Sequence, residues 1–258
     1  MTETIREKIN AGQPLVTVLM RFPEPSIAEL IAAVGVDLIT IDNEHMAFND
    51  ESIVNILRAA ALHGAACMVR PADHNPKVIC RLLDMGVAGI LAAHVDTGDQ
   101  ARALVDAVKF PPLGKRGMMP ISRAAGFGLH ESAADYAARS NRDTVIVAMC
   151  ESRTGVENID DILAVDGIDG IAVGPSDIAN SYEMPGQVQH PMIVKIIDDI
   201  RDKAFAADKL VSALVKSPEE ALEAVRNGFR YINAGSDLSF IVDGAKKYSE
   251  LDFSDALK

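Results

Sequence analysis

The sequence predicts one (βα)8 TIM barrel, and three observations predict it. Eight short apolar or β-branched runs alternate with helix-period segments along the chain, the order of parallel strands joined by crossover helices. The runs are continuously apolar instead of alternating, so both faces of the sheet are buried. A glycine–apolar–strand unit recurs before every second run, and a barrel of this kind takes about 250 residues, which the 258 residues of the chain supply. No linker or low-complexity stretch divides the sequence, so residues 1–258 are expected to form a single domain.

Residues 1–10 are charged and read as a short amphipathic helix. They lack the apolar core and small-residue cleavage site of a signal peptide. Runs one to four are residues 15–20, 37–42, 65–70 and 87–92. The helical patterns that follow them are 25–34, 49–62, 75–85 and 98–108. The longest connection, 92 to 144, contains Pro111-Pro112-Leu113-Gly114-Lys115-Arg116-Gly117. Structureless loops of that length are uncommon, so 131–139 is expected to be helical. The remainder is either a cover over a site, a subunit contact or a variable insertion. Runs five to eight are 144–150, 170–174, 209–214 and 230–234, with a helix over 218–227 opened by the capping sequence Ser217-Pro218-Glu219-Glu220. Gly35, Gly86, Gly167 and Gly228 begin the repeated unit, each placed where a helix ends in the left-handed conformation. An open doubly wound sheet would use similar turns; the two-unit recurrence favours the closed barrel.

Lys and Arg number 25 against 37 Asp and Glu, a net charge of −12. Such a surface repels phosphate backbones and anionic lipid unless a basic patch intervenes, and none is visible. Apolar stretches such as 87–93 fall well short of the ~20 residues that span a bilayer. Three widely spaced cysteines fit neither a disulfide framework nor a zinc knuckle. The expectation is a soluble cytoplasmic protein with a small-molecule substrate.

Parallel barrels gather their chemistry at the C-terminal ends of the strands. After run two comes Asp42-Asn43-Glu44-His45, and run three ends in Arg70-Pro71. His94 and Asp96 follow run four, and Glu151 follows run five. Run six leads into Gly174-Pro175-Ser176-Asp177, run seven into Leu214-Val215-Lys216, and run eight into Gly235-Ser236-Asp237. Glu151 and Asp177 follow adjacent strands, which lie about 4.8 Å apart. Two such carboxylates repel unless a cation or a proton is shared, and a hard divalent ion takes one or two carboxylates and keeps its other positions for water and substrate. The plainer alternatives are that Asp177 caps a helix and Glu151 pairs with Arg153. His45 is a titratable base beside acids. Arg70 could bind a carboxylate or a developing oxyanion, or pair with Asp42 or Glu44. A cation, an arginine and a histidine suit chemistry through an enolate.

These residues resemble the metal-dependent (class II) pyruvate aldolases of the 4-hydroxy-2-oxoheptanedioate aldolase family. The motifs run through most of the chain: 38–45, Val69-Arg70-Pro71, Leu82-Leu83-Asp84-Met85-Gly86, 110–117, Glu151-Ser152-Arg153 and 170–177. The resemblance implies a barrel assembled as a hexamer, a trimer of dimers, with the last helix swapped between partners. It implies Mg2+, Mn2+ or Co2+ held by Glu151 and Asp177 and chelated by pyruvate. It makes Arg70 the stabiliser of the enolate oxygen and His45 the general base. Asp84 would raise the basicity of His45, brought close by assembly, and Glu44 would hold a water on the cation, with Asp42 beside it. It also carries Gly174, Ser176 (through its backbone) and Leu214 into the pyruvate pocket. The sequence departs from the pattern at Met149, where the family has a glutamine that contacts pyruvate, and at residues 178–183, which are bulkier and more acidic than usual.

The expected reaction is reversible cleavage of a 4-hydroxy-2-oxoacid to pyruvate and an aldehyde. Two alternatives keep the barrel. A citryl- or malyl-CoA type lyase would need a basic or adenine-binding groove, against which the −12 charge argues. A non-catalytic metabolite-binding barrel would bind pyruvate without exchanging its methyl protons. A Schiff base at Lys216 is a third route, exposed by borohydride trapping.

Overall fold

The computed structural model describes residues 3–251 and contains the closed barrel, with eight parallel strands paired in sequence order, β1 returning to β8. The strands are β1 (Leu15–Met20), β2 (Leu38–Asp42), β3 (Ala66–Arg70), β4 (Gly89–Ala92), β5 (Val145–Cys150), β6 (Gly170–Val173), β7 (Leu210–Leu214) and β8 (Tyr231–Ser236). The open-sheet alternative is thereby excluded.

Twelve α-helices surround the barrel among the described residues: α1 (Ile5–Asn10), α2 (Pro25–Ala33), α3 (Asp50–Ala61), α4 (Pro76–Met85), α5 (Gly98–Val108), α6 (Ala133–Asp143), α7 (Arg153–Glu157), α8 (Ile159–Leu163), α9 (Pro175–Ser181), α10 (Pro191–Ala206), α11 (Pro218–Arg226) and α12 (Asp237–Ser249). Several begin with proline at a first position, where the missing N–H costs nothing, as in α2, α4, α10 and α11. Reciprocal capping boxes start α1 at Thr4, α3 at Asn49, α5 at Thr97 and α12 at Ser236, each side-chain cap stabilising its helix by about 1 kcal/mol. Gly35, Gly86, Gly167 and Gly228 have φ between 94° and 100°, the left-handed turn their repeated position requires.

Two cores result. One fills the lumen with Leu15, Leu38, Met68, Leu91, Val147 and Tyr231; the other, much larger, seals the outer faces of the strands against the helix ring through residues such as Ile39, Ile56, Ile90 and Ile171. The connection 92–144 is organised by α5 and α6, with α6 displaced a few residues C-terminal to the expected 131–139. Its intervening segment is pinned by Arg116, whose guanidinium lies 4.4 Å from the centre of the Phe110 ring and bonds Tyr136 Oη and Asp84. Among the described residues, no helix is long and apolar enough to cross a membrane.

Candidate active site

Strand register sets the site. Asp42 pairs with Arg70 across β2 and β3, which puts a carboxylate and a guanidinium side by side at one level of the mouth. Arg70 Nε bonds Asp42 Oδ1 at 3.1 Å and Nη2 bonds Oδ2 at 2.7 Å, a bidentate fork. Nε also stands 3.2 Å from Glu44 Oε2. The ion-pair alternative for Arg70 is therefore realised, and it is compatible with a role in the site: among the described residues Nη1 has no partner and remains available to a substrate oxygen. Asp42 is fully buried. Burial pushes its carboxyl up, but the hydrogen bonds and charge of Arg70 outweigh that and hold it below the ordinary value.

Glu151, buried at the end of β5, faces Asp177 in the first turn of α9. The two meet across Gly174. A Cβ built there would lie 2.7 Å from Glu151 Oε2, 2.8 Å from Glu151 Cβ and 3.6 Å from Asp177 Oδ2. Burial, and then the charges of Asp177 and Glu44, push the Glu151 carboxyl up, opposed by the His94 N–H. The Arg153 alternative fails: Arg153 stacks over the Tyr182 ring at 4.6 Å, and Glu151 Oε1 accepts the backbone N–H of His94 at 2.8 Å.

This donor set fits a hard divalent cation. The Asp177 charge pushes the Glu151 carboxyl up, a repulsion that a cation would relieve, and Glu44 Oε2 is buried without a hydrogen bond, its nearest cation being Arg70 Nε at 3.2 Å. Among the described residues no cluster of three or more His, Cys, Asp or Glu forms a closed metal cage.

His45 is half-exposed at the mouth, its Nε2 3.6 Å from Glu44 Oε2 and its backbone N–H on Asp42 Oδ1 at 3.2 Å. Met149 is buried in the lumen core, Ser176 lies in α9, and Leu214 is exposed at the end of β7. Asp84 stands apart from these. It lies at the far end of α4, 2.6 Å from Arg116 Nη2, so within one chain it does not meet His45. Lys216 is exposed, and its amide donates to Glu220, which is not the desolvated setting a Schiff-base lysine uses.

Two further residues stand at the rim: His94, placed after run four by the sequence but given no role, and Arg21, which sequence reasoning missed. His94 holds a left-handed φ of 49°, an uncommon conformation for a residue with a side chain, and its ring lies between Glu151 (Nδ1 at 3.5 Å) and Glu44 (Nε2 at 4.0 Å). Arg21 follows β1 directly. A cation immediately after a strand was the available signal for it.

A parallel barrel with a carboxylate pair and a braced arginine at the strand C-termini is the architecture that places acid and cation chemistry at one mouth. Residues 20–243 match the HpcH/HpaI aldolase/citrate lyase family, and the chain belongs to that family, whose members generally depend on a divalent metal. It is 31% identical over 244 residues to 2-keto-3-deoxy-L-rhamnonate aldolase of Escherichia coli O157:H7, covering 94% of this chain and 90% of that one. The crystal structure of an HpcH/HpaI aldolase from Desulfitobacterium hafniense superposes with a TM-score of 0.88 at 26% identity, covering 97% and 98% of the two chains. The citrate synthase SbnG superposes with a TM-score of 0.84 at 27% identity, covering 97% and 100%. The family is thus the one expected, while the 4-hydroxy-2-oxoheptanedioate branch is not singled out within it.

Proposed function

We propose that the protein cleaves a 4-hydroxy-2-oxoacid reversibly to pyruvate and an aldehyde, with a divalent cation (Mg2+, Mn2+ or Co2+) held by Glu151 and Asp177. The observation that supports this most directly is the convergence of those carboxylates across Gly174, opposite an arginine with one uncommitted nitrogen. When bound, the cation supplies Lewis acidity to the keto and carboxylate oxygens of the substrate. Arg70 is held in plane by Asp42 and presents Nη1 to the oxygen that becomes the enolate. His45 accepts the 4-hydroxyl proton as the C3–C4 bond breaks, and the electrons of that bond pass into the enolate. Return of a proton to C3 gives the pyruvate methyl group. Gly174 and the backbone at Ser176 approach the pyruvate carboxylate. Met149 stands where an amide donor would be and leaves that wall apolar, and Leu214 lines the outer mouth.

Asp84 serves His45 only across a subunit contact, so the proposal includes a cytoplasmic homohexamer, a trimer of dimers with α12 exchanged. Leu238, Phe240, Ile241 and Val242 of α12 are exposed on the single chain, an apolar face that such an exchange would cover. The test is a panel of 4-hydroxy-2-oxoacids assayed for pyruvate with added Mn2+ or Co2+. Release that EDTA abolishes is expected. No release from any member, or release indifferent to EDTA, overturns the proposal.

A further inference from the structure

We propose that Arg21 binds a second, distal carboxylate of the substrate, so that the aldehyde half of the cleaved oxoacid is itself an acid. The inference rests on the aldol reading for the identity of the reacting end and on separate residues for the distal one.

Arg21 is rigidly placed. The carboxylate of Asp237, buried at the start of α12, accepts the backbone N–H of Arg21 at 3.0 and 3.1 Å, that of Phe22 at 3.0 Å and that of Leu238 at 2.7 Å. These bonds fix the turn that leaves β1. The side chain is only loosely engaged. Among the described residues its guanidinium donates no hydrogen bond, and its nearest carboxylate is Asp42 Oδ2 at 3.9 Å. Asp42 is engaged first by Arg70, which takes Oδ2 at 2.7 Å and shares Oδ1 with the His45 amide, so Arg21 has only a distant share of its charge. Other arginines of the chain are spent: Arg6 on Asp169, Arg139 on Glu131 and Arg201 on Asp198. Arg21 is only 30% exposed, so an ion bound there would be partly shielded from water, where charge-assisted bonds are stronger.

Topology gives the fork its ligand. In a barrel ordered β1 to β8, β1 stands across the mouth from β5, so the strand end that carries Arg21 lies opposite the one that carries Glu151. A 2-oxoacid anchored by its carboxylate and keto oxygens at Glu151 and Asp177 extends its other end toward the β1 wall. Opposite strands of an eight-stranded barrel are about 15 Å apart, a gap that an extended glutamate, a short carbon chain and an arginine together span. A single planar fork matches one carboxylate bidentately. A neutral tail would leave the half-buried guanidinium without a partner.

The test is equilibrium binding by calorimetry to the Mn2+-loaded full-length protein, using pairs of equal length that differ only in the distal carboxylate: 2-oxoglutarate against 2-oxopentanoate, and 2-oxoadipate against 2-oxohexanoate. At least one dicarboxylate is expected to bind about 10- to 100-fold tighter than its partner. R21Q, which keeps the stem, should bring that ratio to about one, and R21K should restore part of it. Equal affinities in both pairs, or a preference that survives R21Q, overturn the proposal. If the preference is present and lost in R21Q while no oxoacid releases pyruvate, the aldol reading fails and Arg21 stands. If pyruvate is released without any such preference, the reverse holds. Binding of none of the four acids overturns both.

Discussion

Gly174→Ala is the sharpest probe of the cation site. The added methyl would sit 2.7 Å from Glu151 Oε2 and 2.8 Å from Glu151 Cβ, about 0.8 Å inside the ordinary contact distance of roughly 3.5 Å. The carboxylate tip could turn away, but the Cβ contact involves the root of the side chain, and Oε1 is tied to the His94 amide at 2.8 Å. Relief therefore requires moving Glu151 as a whole, out of line with Asp177. The backbone at Gly174 has φ −101°, which alanine adopts freely, so the substitution tests space and not chain conformation. Overpacking of this kind costs about 1–3 kcal/mol of stability, which the fold should survive. Displacing a ligand by most of an ångström is expected to weaken Mn2+ binding about 10- to 100-fold, read by the electron paramagnetic resonance signal of free Mn2+ during titration. Pyruvate release should fall by about 10²-fold. A folded G174A protein that binds Mn2+ like the wild type would refute the placement of the cation between Glu151 and Asp177.

Asp42→Asn removes the brace of Arg70. Breaking one side of a buried pair should destabilise the fold by about 3 kcal/mol in urea unfolding at neutral pH. Because the folded-state carboxyl titrates below its ordinary value of 3.8, its contribution is fully present above that value and is lost as pH falls from there through the lower folded-state value, so wild type and D42N should converge in strong acid. Lys109 gives the same sign in the alkaline range, from a different cause. Burial lowers its ammonium from 10.5 to about 8, although Nζ donates to the Asn141 and Thr144 carbonyls. Between those values the unfolded chain holds the proton and the folded chain does not, so stability should rise with pH across that window by at most about 3 kcal/mol, a rise that K109M lacks. Iodoacetamide should label half-buried Cys80 first, since Cys67 and Cys150 are buried with thiols pushed up to about 12; peptide mapping that finds Cys150 modified as fast contradicts this packing.

Much of this architecture is legible in the sequence because burial and chain reversal leave local marks. Every strand lies on one of the eight apolar runs, and the four glycines of the repeated unit all adopt positive φ. The fourth strand starts at Gly89, two residues after the apolar run begins. Its register begins opposite Met68, and a Cβ at Gly89 would come within 2.5 Å of the Val145 carbonyl, so close approach of neighbouring backbones, invisible along one run, sets that boundary. The short helices α7, α8 and α9 have too few residues to show a period. The carboxylates and Arg70 were recognisable from their places at strand ends. The pairing of Asp84 with Arg116 was not, because it joins residues 32 apart through the fold of an irregular segment. Arg21 is not legible in the sequence because a cation after an apolar run resembles any solvated turn until the fold shows that its one nearby carboxylate is held more closely by Arg70.

The charges at the mouth are divided by wall. Acids from β5 and α9 stand on one side, and an Arg21–Asp42–Arg70 row from three consecutive strands stands on the other, with His94 reaching from Glu151 toward Glu44 between them. On the proposed reaction, the division would orient a substrate before any chemistry. An oxoacid headgroup needs a cation to approach Glu151 and Asp177 at all, whereas an anionic tail is drawn to the arginine row without one. Of that row, Arg70 is committed through Asp42 to a fixed plane, which suits an oxygen whose charge appears only as the bond breaks. Arg21 has no such brace on its guanidinium, which suits a group already charged in the ground state and variable in reach. On the proposed reaction, side chains of one type divide the work by what holds them: the braced arginine would favour the transition state, and the loosely held one would select the substrate.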